Sequence, residues 1–496
     1  MSRKRIVLFS VVGVVLLLLP LATKPEPVPD IPPSPGSPFL WDAAELFTQL
    51  EGQFQAARGN GCQEAPAAIE HLRLDAEALP ADAGPDHVAL VALEDAVFSA
   101  AALAAACPAA HGEEFVAAAD LARRRVKALS RSWEMDGPAR DRLYRLLLGT
   151  RLAVEEVAVR RPGDPIAFDR RETISSAAPF VEVQGVRVHS GDLLVSRGGA
   201  PTSALISRGN DRPGNFSHVA LAHVDPETKA ASVVEAHIES GVGVFTAEQY
   251  LADTKLRVLV LRLHPDDPAV QADPLVAHKA AEAALAAAQA GHIAYDFAMD
   301  TDDAGKQFCS EVPLHGYRAQ GIELWPGPTT VSDAGTMSLF AALGVRTSSL
   351  MAPSDLEYSP RLIAAAEWRD PETLLHDRYD NAVLDTIISR VAEVDGLPAA
   401  QPHLLPPARA AKAWSLVLNL FGKKGPIPEG MTASRALRVR SLGWRHETIR
   451  GRLEELVQER EAKDGYVAPY WTLVELAEQA AEETQIDPAK KKKRGH

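Results

Sequence analysis

Phe308-Cys309-Ser310-Glu311-Val312 is the stretch on which the reading turns, and Phe216-Ser217-His218-Val219-Ala220-Leu221 stands upstream of it. Cys309 follows a polar loop, Asp302-Asp303-Ala304-Gly305, and opens an expected helix from Ser310 to Arg318. A helix N-terminus favours a thiolate and points N–H groups at developing negative charge. His218 stands at the start of an expected strand, and Glu235 lies in the next one, Val233-Val234-Glu235-Ala236-His237. The turn Asp225-Pro226-Glu227-Thr228-Lys229 joins the two as an antiparallel hairpin. If His218 pairs near His237, Glu235 is its diagonal neighbour on the same face; a slip of one residue separates them. A cysteine hydrolase needs a thiolate, a base to move its proton and a group to orient the base. Cys309, His218 and Glu235 form one candidate set, with Glu239 and His237 as alternatives for the third member. Glu311 suits a helix N-terminus and is not read as catalytic.

Around these residues the chain reads as α+β. Short runs rich in Val, Leu and Ile predict strands at 193–196, 218–224, 232–238, 242–245 and 258–263. An Ala-rich helix is expected over 274–290. Tyr295 and Asp296 either line a substrate pocket or serve as a loop-packing tyrosine and a capping aspartate. Gly191-Asp192 reads as a turn entering a strand. His223 and His237 lack any HExxH or Cys-x-x-Cys pattern beside them, so no metal site is expected, and the chemistry calls for no cofactor.

The ordered set Gly191-Asp192-Leu193-Leu194, Phe216 to Ala220, Val234-Glu235-Ala236, Gly241-Val242, Tyr295-Asp296-Phe297 and Phe308 to Val312 resembles the YiiX/YebB-like permuted branch of the NlpC-type papain-like cysteine hydrolases. In that branch the histidine precedes the cysteine. The resemblance covers about 185–360 and implies a permuted papain-like domain, an antiparallel sheet plus helices. It implies Cys309 as nucleophile, His218 as base and Glu235 as the orienting residue. Pro313 departs from the pattern, where a second aliphatic residue is expected, yet the first turn of a helix tolerates proline.

The remainder frames this domain, set at 162–360. Residues 1–23 carry a positive flank, Arg3-Lys4-Arg5, and an uncharged run from Ile6 to Ala22, read as a membrane anchor or signal segment with the bulk of the chain outside the cytoplasm. Residues 24–38 are Pro-rich and read as a stiff spacer holding the body off the membrane. Residues 39–161 read as a bundle of about four helices, and 361–496 as helical again, ending in the basic run Lys490–Arg494. Cys62 and Cys107 either pair, as suits an exported chain, or are ordinary helix-end residues; Cys309 is left over in both cases. A net charge of -14 leaves no broad basic surface, which excludes general nucleic-acid binding. The expected activity is cleavage of an amide or ester in a peptide or acyl substrate. An acyltransferase of the same fold, or a membrane-tethered scaffold with an inactive domain, are the alternatives.

Overall fold

Alanine-rich periodicity between Gly and Pro breaks folds the first third into five helices: α1 (Ala44–Asn60), α2 (Ala65–Ala78), α3 (Val88–Ala106), α4 (Pro108–Ser130) and α5 (Gly137–Ala158). The computed structural model describes residues 24–39, 44–161, 174–301, 303, 305–392 and 402–485. The expected anchor at 1–23, Asp302 and Ala304 of the polar loop, and Lys490–Arg494 lie outside these. Asp136 caps α5 by accepting the Ala139 N–H, with Pro138 in the first turn where no N–H is needed. Among the described residues α3 alone is long and apolar enough to cross a membrane, but most of it is buried. Its Leu90, Leu93 and Val97 pack on Phe115, Leu143 and Leu147 as the bundle core. A disulfide joins Cys62, between α1 and α2, to Cys107, between α3 and α4.

The chemistry-bearing stretch forms strands β1 (Phe180–Val183), β2 (Val186–His189), β3 (Leu193–Gly198), β4 (His218–Val224), β5 (Ala231–His237), β6 (Gly241–Thr246) and β7 (Lys255–Leu263), with α6 (Pro201–Arg208) and α7 (Ala247–Ala252) between them. There follow α8 (Pro268–Ala272), α9 (Val276–Ala290), β8 (Ala294–Tyr295), β9 (Lys306–Gln307), α10 (Glu311–Arg318), β10 (Thr329–Thr330), α11 (Ala334–Leu343), β11 (Ser349–Leu350) and β12 (Leu362–Arg369). The main sheet is antiparallel throughout, in the order β12-β7-β3-β4-β5-β6. Alternation decides its faces. Val219, Leu221, Val234 and Ala236 meet Ala280 and Ala284 of α9 and Val312 and Tyr317 of α10. Ala220, Ala222 and Val233 meet the β1–β2 hairpin and Tyr250 of α7 on the other face.

One expectation is corrected here. The chain is not helical directly after 361, because Leu362–Arg369 is the edge strand β12, paired antiparallel with β7. Its three alanines favour a helix locally, but pairing with β7 and burial of Ala365 and Ala366 against the hairpin side override that preference. Helices then resume as α12 (Pro371–Ala392), α13 (Leu405–Leu420), α14 (Ala433–Asp464) and α15 (Tyr470–Glu483). An apolar stripe on α14, Leu442, Ile449, Leu453 and Leu456, packs with α11, α12 and α15.

Buried ion pairs tie these parts together. Arg151 of α5 reaches Glu357 and Glu367, each at 2.6 Å. Arg257 of β7 reaches Glu155 of α5 and Asp377 of α12, each at 2.5 Å, and Arg197 of β3 reaches Asp377 at 3.2 Å. Burial alone would raise the Glu367 carboxyl, but the charges of Arg151 and Arg369 beside it hold it down at about 2.

A second correction concerns the Pro-rich stretch. It is extended, yet it does not stand free as a spacer: it is strapped along the body. Arg409 of α13 donates to the Lys24 carbonyl at 2.7 Å and Arg438 of α14 to that of Glu26 at 2.8 Å. The Glu26 N–H donates to Ser434 Oγ, and the N–H groups of Ser34 and Phe39 donate to the carbonyls of Val331 and Asp211. Extended Pro-rich chain forms no hydrogen bonds of its own, so its backbone groups remain open to such partners.

Candidate active site

Cys309 is set by local geometry on both sides. β9 runs parallel to β8, pairing Gln307 with Tyr295 and bringing the two segments side by side. The Phe308 N–H donates to Glu311 Oε2 at 2.9 Å, which fixes the turn before α10. Glu311 is therefore a structural residue of the helix start. Cys309 follows at the mouth of α10, a free cysteine only 4% exposed. Its Sγ lies 3.9 Å from the carbonyl oxygen of Ser217, the residue before His218.

His218, Ala220 and Ala222 alternate to one face of β4, and Val233, Glu235 and His237 to the same face of β5. The diagonal relationship read from the hairpin is present. His218 Nε2 lies 2.6 Å from Glu235 Oε2. That occupies one ring nitrogen, and Cys309, whose Sγ lies against the carbonyl of the residue before His218, stands beside the same ring. Burial would depress the imidazole, but the hydrogen bonds and charges of Cys309 and Glu235 push it up to about 10. Glu235 is itself buried, which would raise it; hydrogen bonds from His218 and His237 hold it well below the usual carboxylate range. Both influences favour the protonated form of the imidazole that Glu235 holds.

The contenders for third member separate clearly. His237 Nε2 lies 2.9 Å from Glu235 Oε1, so the carboxylate bridges two histidines. His237 in turn packs on Phe245, ring centroids 4.7 Å apart. Glu239 is exposed, and its Oε2 lies 3.9 Å from His237 Nδ1, away from His218. The part played by His237 as the second partner of Glu235 was not read from the sequence. Its signal is the spacing of two, which puts both side chains on one face of a strand.

Tyr295 is brought to the site, buried with Cys309 and Phe308 and against Phe297 at 4.9 Å. Burial first, then negative charge at Cys309, raises its phenol well above the ordinary value, so it stays neutral. Asp296 turns inward to its own loop, accepting the Ala298 N–H at 2.9 Å and the Asp300 N–H at 3.3 Å. Gly241 explains how that loop comes so close. Its φ is +72°, and a Cβ there would sit 2.0 Å from the Ile293 carbonyl oxygen that receives the Val242 N–H. Asp192 holds Arg262 with both oxygens at 2.8 Å and serves the turn into β3. His223 and His237 fall at opposite ends of β5's pairings, opposite Ser232 and Gly241. His223 stacks instead on His278 of α9.

A histidine strand before the cysteine helix, with an acid on the adjacent strand, is the arrangement that the motif order implied. Residues 187–360 match the family model of the permuted papain-like amidase enzymes, YaeF/YiiX, C92 family. The C92 match runs from β2 to the turn before β12 and contains Cys309, His218, Glu235 and His237. It supports a hydrolase of the papain-like fold. The helices on either side of the C92 segment, and β12, lie beyond the match. No curated protein and no solved structure matches the chain.

Proposed function

We propose that this chain is a membrane-anchored cysteine hydrolase that cleaves an amide or ester bond of a peptide or acyl substrate through an acyl-enzyme. The observation that carries the proposal is His218 bonded to the buried Glu235 at 2.6 Å, with Cys309 Sγ 3.9 Å from the carbonyl oxygen of the residue before it. The Cys309 sulfur attacks the carbonyl carbon, and the oxyanion is met by N–H groups at the start of α10. The C–N or C–O bond breaks as His218 gives its proton to the leaving amine or alcohol, and Cys309 retains the acyl group as a thioester. Water then attacks the thioester with His218 as base, releasing the acid and restoring the thiol. Glu235 orients His218 and offsets its charge throughout. Tyr295 lines the acyl side as a neutral phenol. The uncharged run Ile6–Ala22 behind a basic flank supports an anchor that leaves the catalytic domain outside the cytoplasm.

Alkylation by iodoacetamide across pH 4–9, in the wild type and in His218→Ala and Cys309→Ala, tests the reading. Fast labelling of Cys309 near neutral pH that collapses in His218→Ala is expected. Labelling with the profile of a free thiol, centred near about 8.5 and indifferent to His218, would replace the enzyme with the scaffold reading.

A further inference from the structure

α13 shows solvent a face that soluble helices rarely present. Trp414, Leu416, Val417, Leu420 and Phe421 are exposed by 57%, 51%, 42%, 85% and 74%. At 100° per residue they cover one side of the helix, while Ser415 is fully buried on the opposite side. There its Oγ accepts the Ile427 N–H at 2.9 Å, and Lys412 reaches the carbonyls of Pro428 and Glu429 at 2.6 Å. The inner side of α13 is thus fastened to the body and the apolar side faces out. Single exposed apolar residues need no explanation, but a continuous patch does.

Two observations indicate what covers it. The first is charge. From Pro402 to Pro428 the chain has no acidic residue but carries Arg409, Lys412, Lys423 and Lys424, against a whole-chain charge of -14. Large apolar and aromatic side chains flanked by lysines are the composition of helices lying in a bilayer interface. The second is position. Lys24, just past the uncharged run Ile6–Ala22, is hydrogen-bonded to Arg409 on α13 itself. A membrane entered by that run therefore begins beside this face.

We propose that α13 is an interfacial docking helix, whose Trp414–Phe421 face inserts into the headgroup region of an anionic lipid bilayer. This rests on the anchor reading of residues 6–22 and adds a second, monotopic contact that fixes the tilt of the body. The docked helix sits close to the candidate site: Glu429, held by Lys412, pairs with His292 at 2.8 Å, and Gly430 packs on Phe297.

The test uses the full chain reconstituted in vesicles of phosphatidylethanolamine and phosphatidylglycerol, with or without brominated acyl chains, which quench tryptophan on contact. Quenching in the wild type is expected, with most of it lost in Trp414→Phe. Leu420→Glu/Phe421→Glu, at two exposed positions, is expected to abolish quenching of Trp414 while the chain still resists alkaline carbonate extraction. Retention in the membrane with unchanged emission in brominated vesicles overturns the docking helix alone. So does a dimer in nanodiscs that the double glutamate variant disperses, since a second copy then covers the face. Release of the wild type by carbonate overturns the anchor reading instead.

Discussion

Nε2 of His218 lies 2.6 Å from Oε2 of Glu235, a carboxylate only 2% exposed, and the two belong to adjacent strands of one hairpin. Their pH behaviour follows. The folded His218 is raised from its ordinary 6.5 to about 10. A raised base contributes stability that is full below about 6.5 and lost as pH rises through about 10. The imidazolium should therefore persist through neutral pH, and turnover, which needs it to protonate the leaving group, should decline near pH 10. Glu235→Gln removes a charge that raises His218, so the alkaline limb should move to lower pH. The rate of hydrolysis of a model amide or ester against pH in both proteins measures this, and an unmoved limb in the variant contradicts the assigned role.

His237 acts through Glu235. His237→Ala frees Oε1 of a buried carboxylate, and a hydrogen bond to a charged group is worth about 1.5–3 kcal/mol. A loss in kcat of about tenfold to a hundredfold is expected. KM should change little and the alkaline limb should shift, since Glu235 is less firmly placed against His218. His237→Asn, which keeps a donor, should recover part of the loss. Loss of stability with unchanged pH behaviour would make His237 a packing residue only.

Glu367→Gln strips one charge from the buried Arg151 and is expected to destabilise the fold by about 3 kcal/mol at neutral pH. The carboxyl is depressed to about 2, so its contribution is complete above an unfolded value of about 4.3 and lost as pH falls through about 2. The gap between wild type and variant in chemical denaturation should be constant near neutrality and close between those limits.

Cys62 and Cys107 are 45 residues apart in sequence and bonded. Replacing both with serine should cost about 4 kcal/mol on the loop-entropy model, read as a lower denaturation midpoint of the helical bundle. Cys309 would then be the single thiol, and its labelling should be unaffected.

Much of the site was legible because strand alternation is a strict rule. Once the turn at Asp225–Lys229 was set, the faces of His218 and Glu235 followed. The ordered motifs from Gly191 to Val312 did the same for the sheet and α10. What escaped depends on partners remote in sequence. β12 reads locally as helix, and only β7 makes it a strand. Gly241 shows no reason for glycine until Ile293 is laid over it. The prolines of 24–38 announce an extended chain, but not that Arg409 and Arg438 receive it.

That strap bears on the order of assembly. Lys24 and Arg409 are 385 residues apart, and Glu26 and Arg438 are 412 apart. At about 5–20 residues per second of synthesis, the receiving arginine follows Lys24 by roughly 20–80 s. The α1–α5 bundle and the sheet have their own cores and can form in that interval, whereas the strap has no seat until α13 and α14 exist. Its closure is then among the last long-range contacts made, and a chain truncated before Arg409 would leave the strap with nowhere to dock on the C-terminal helices.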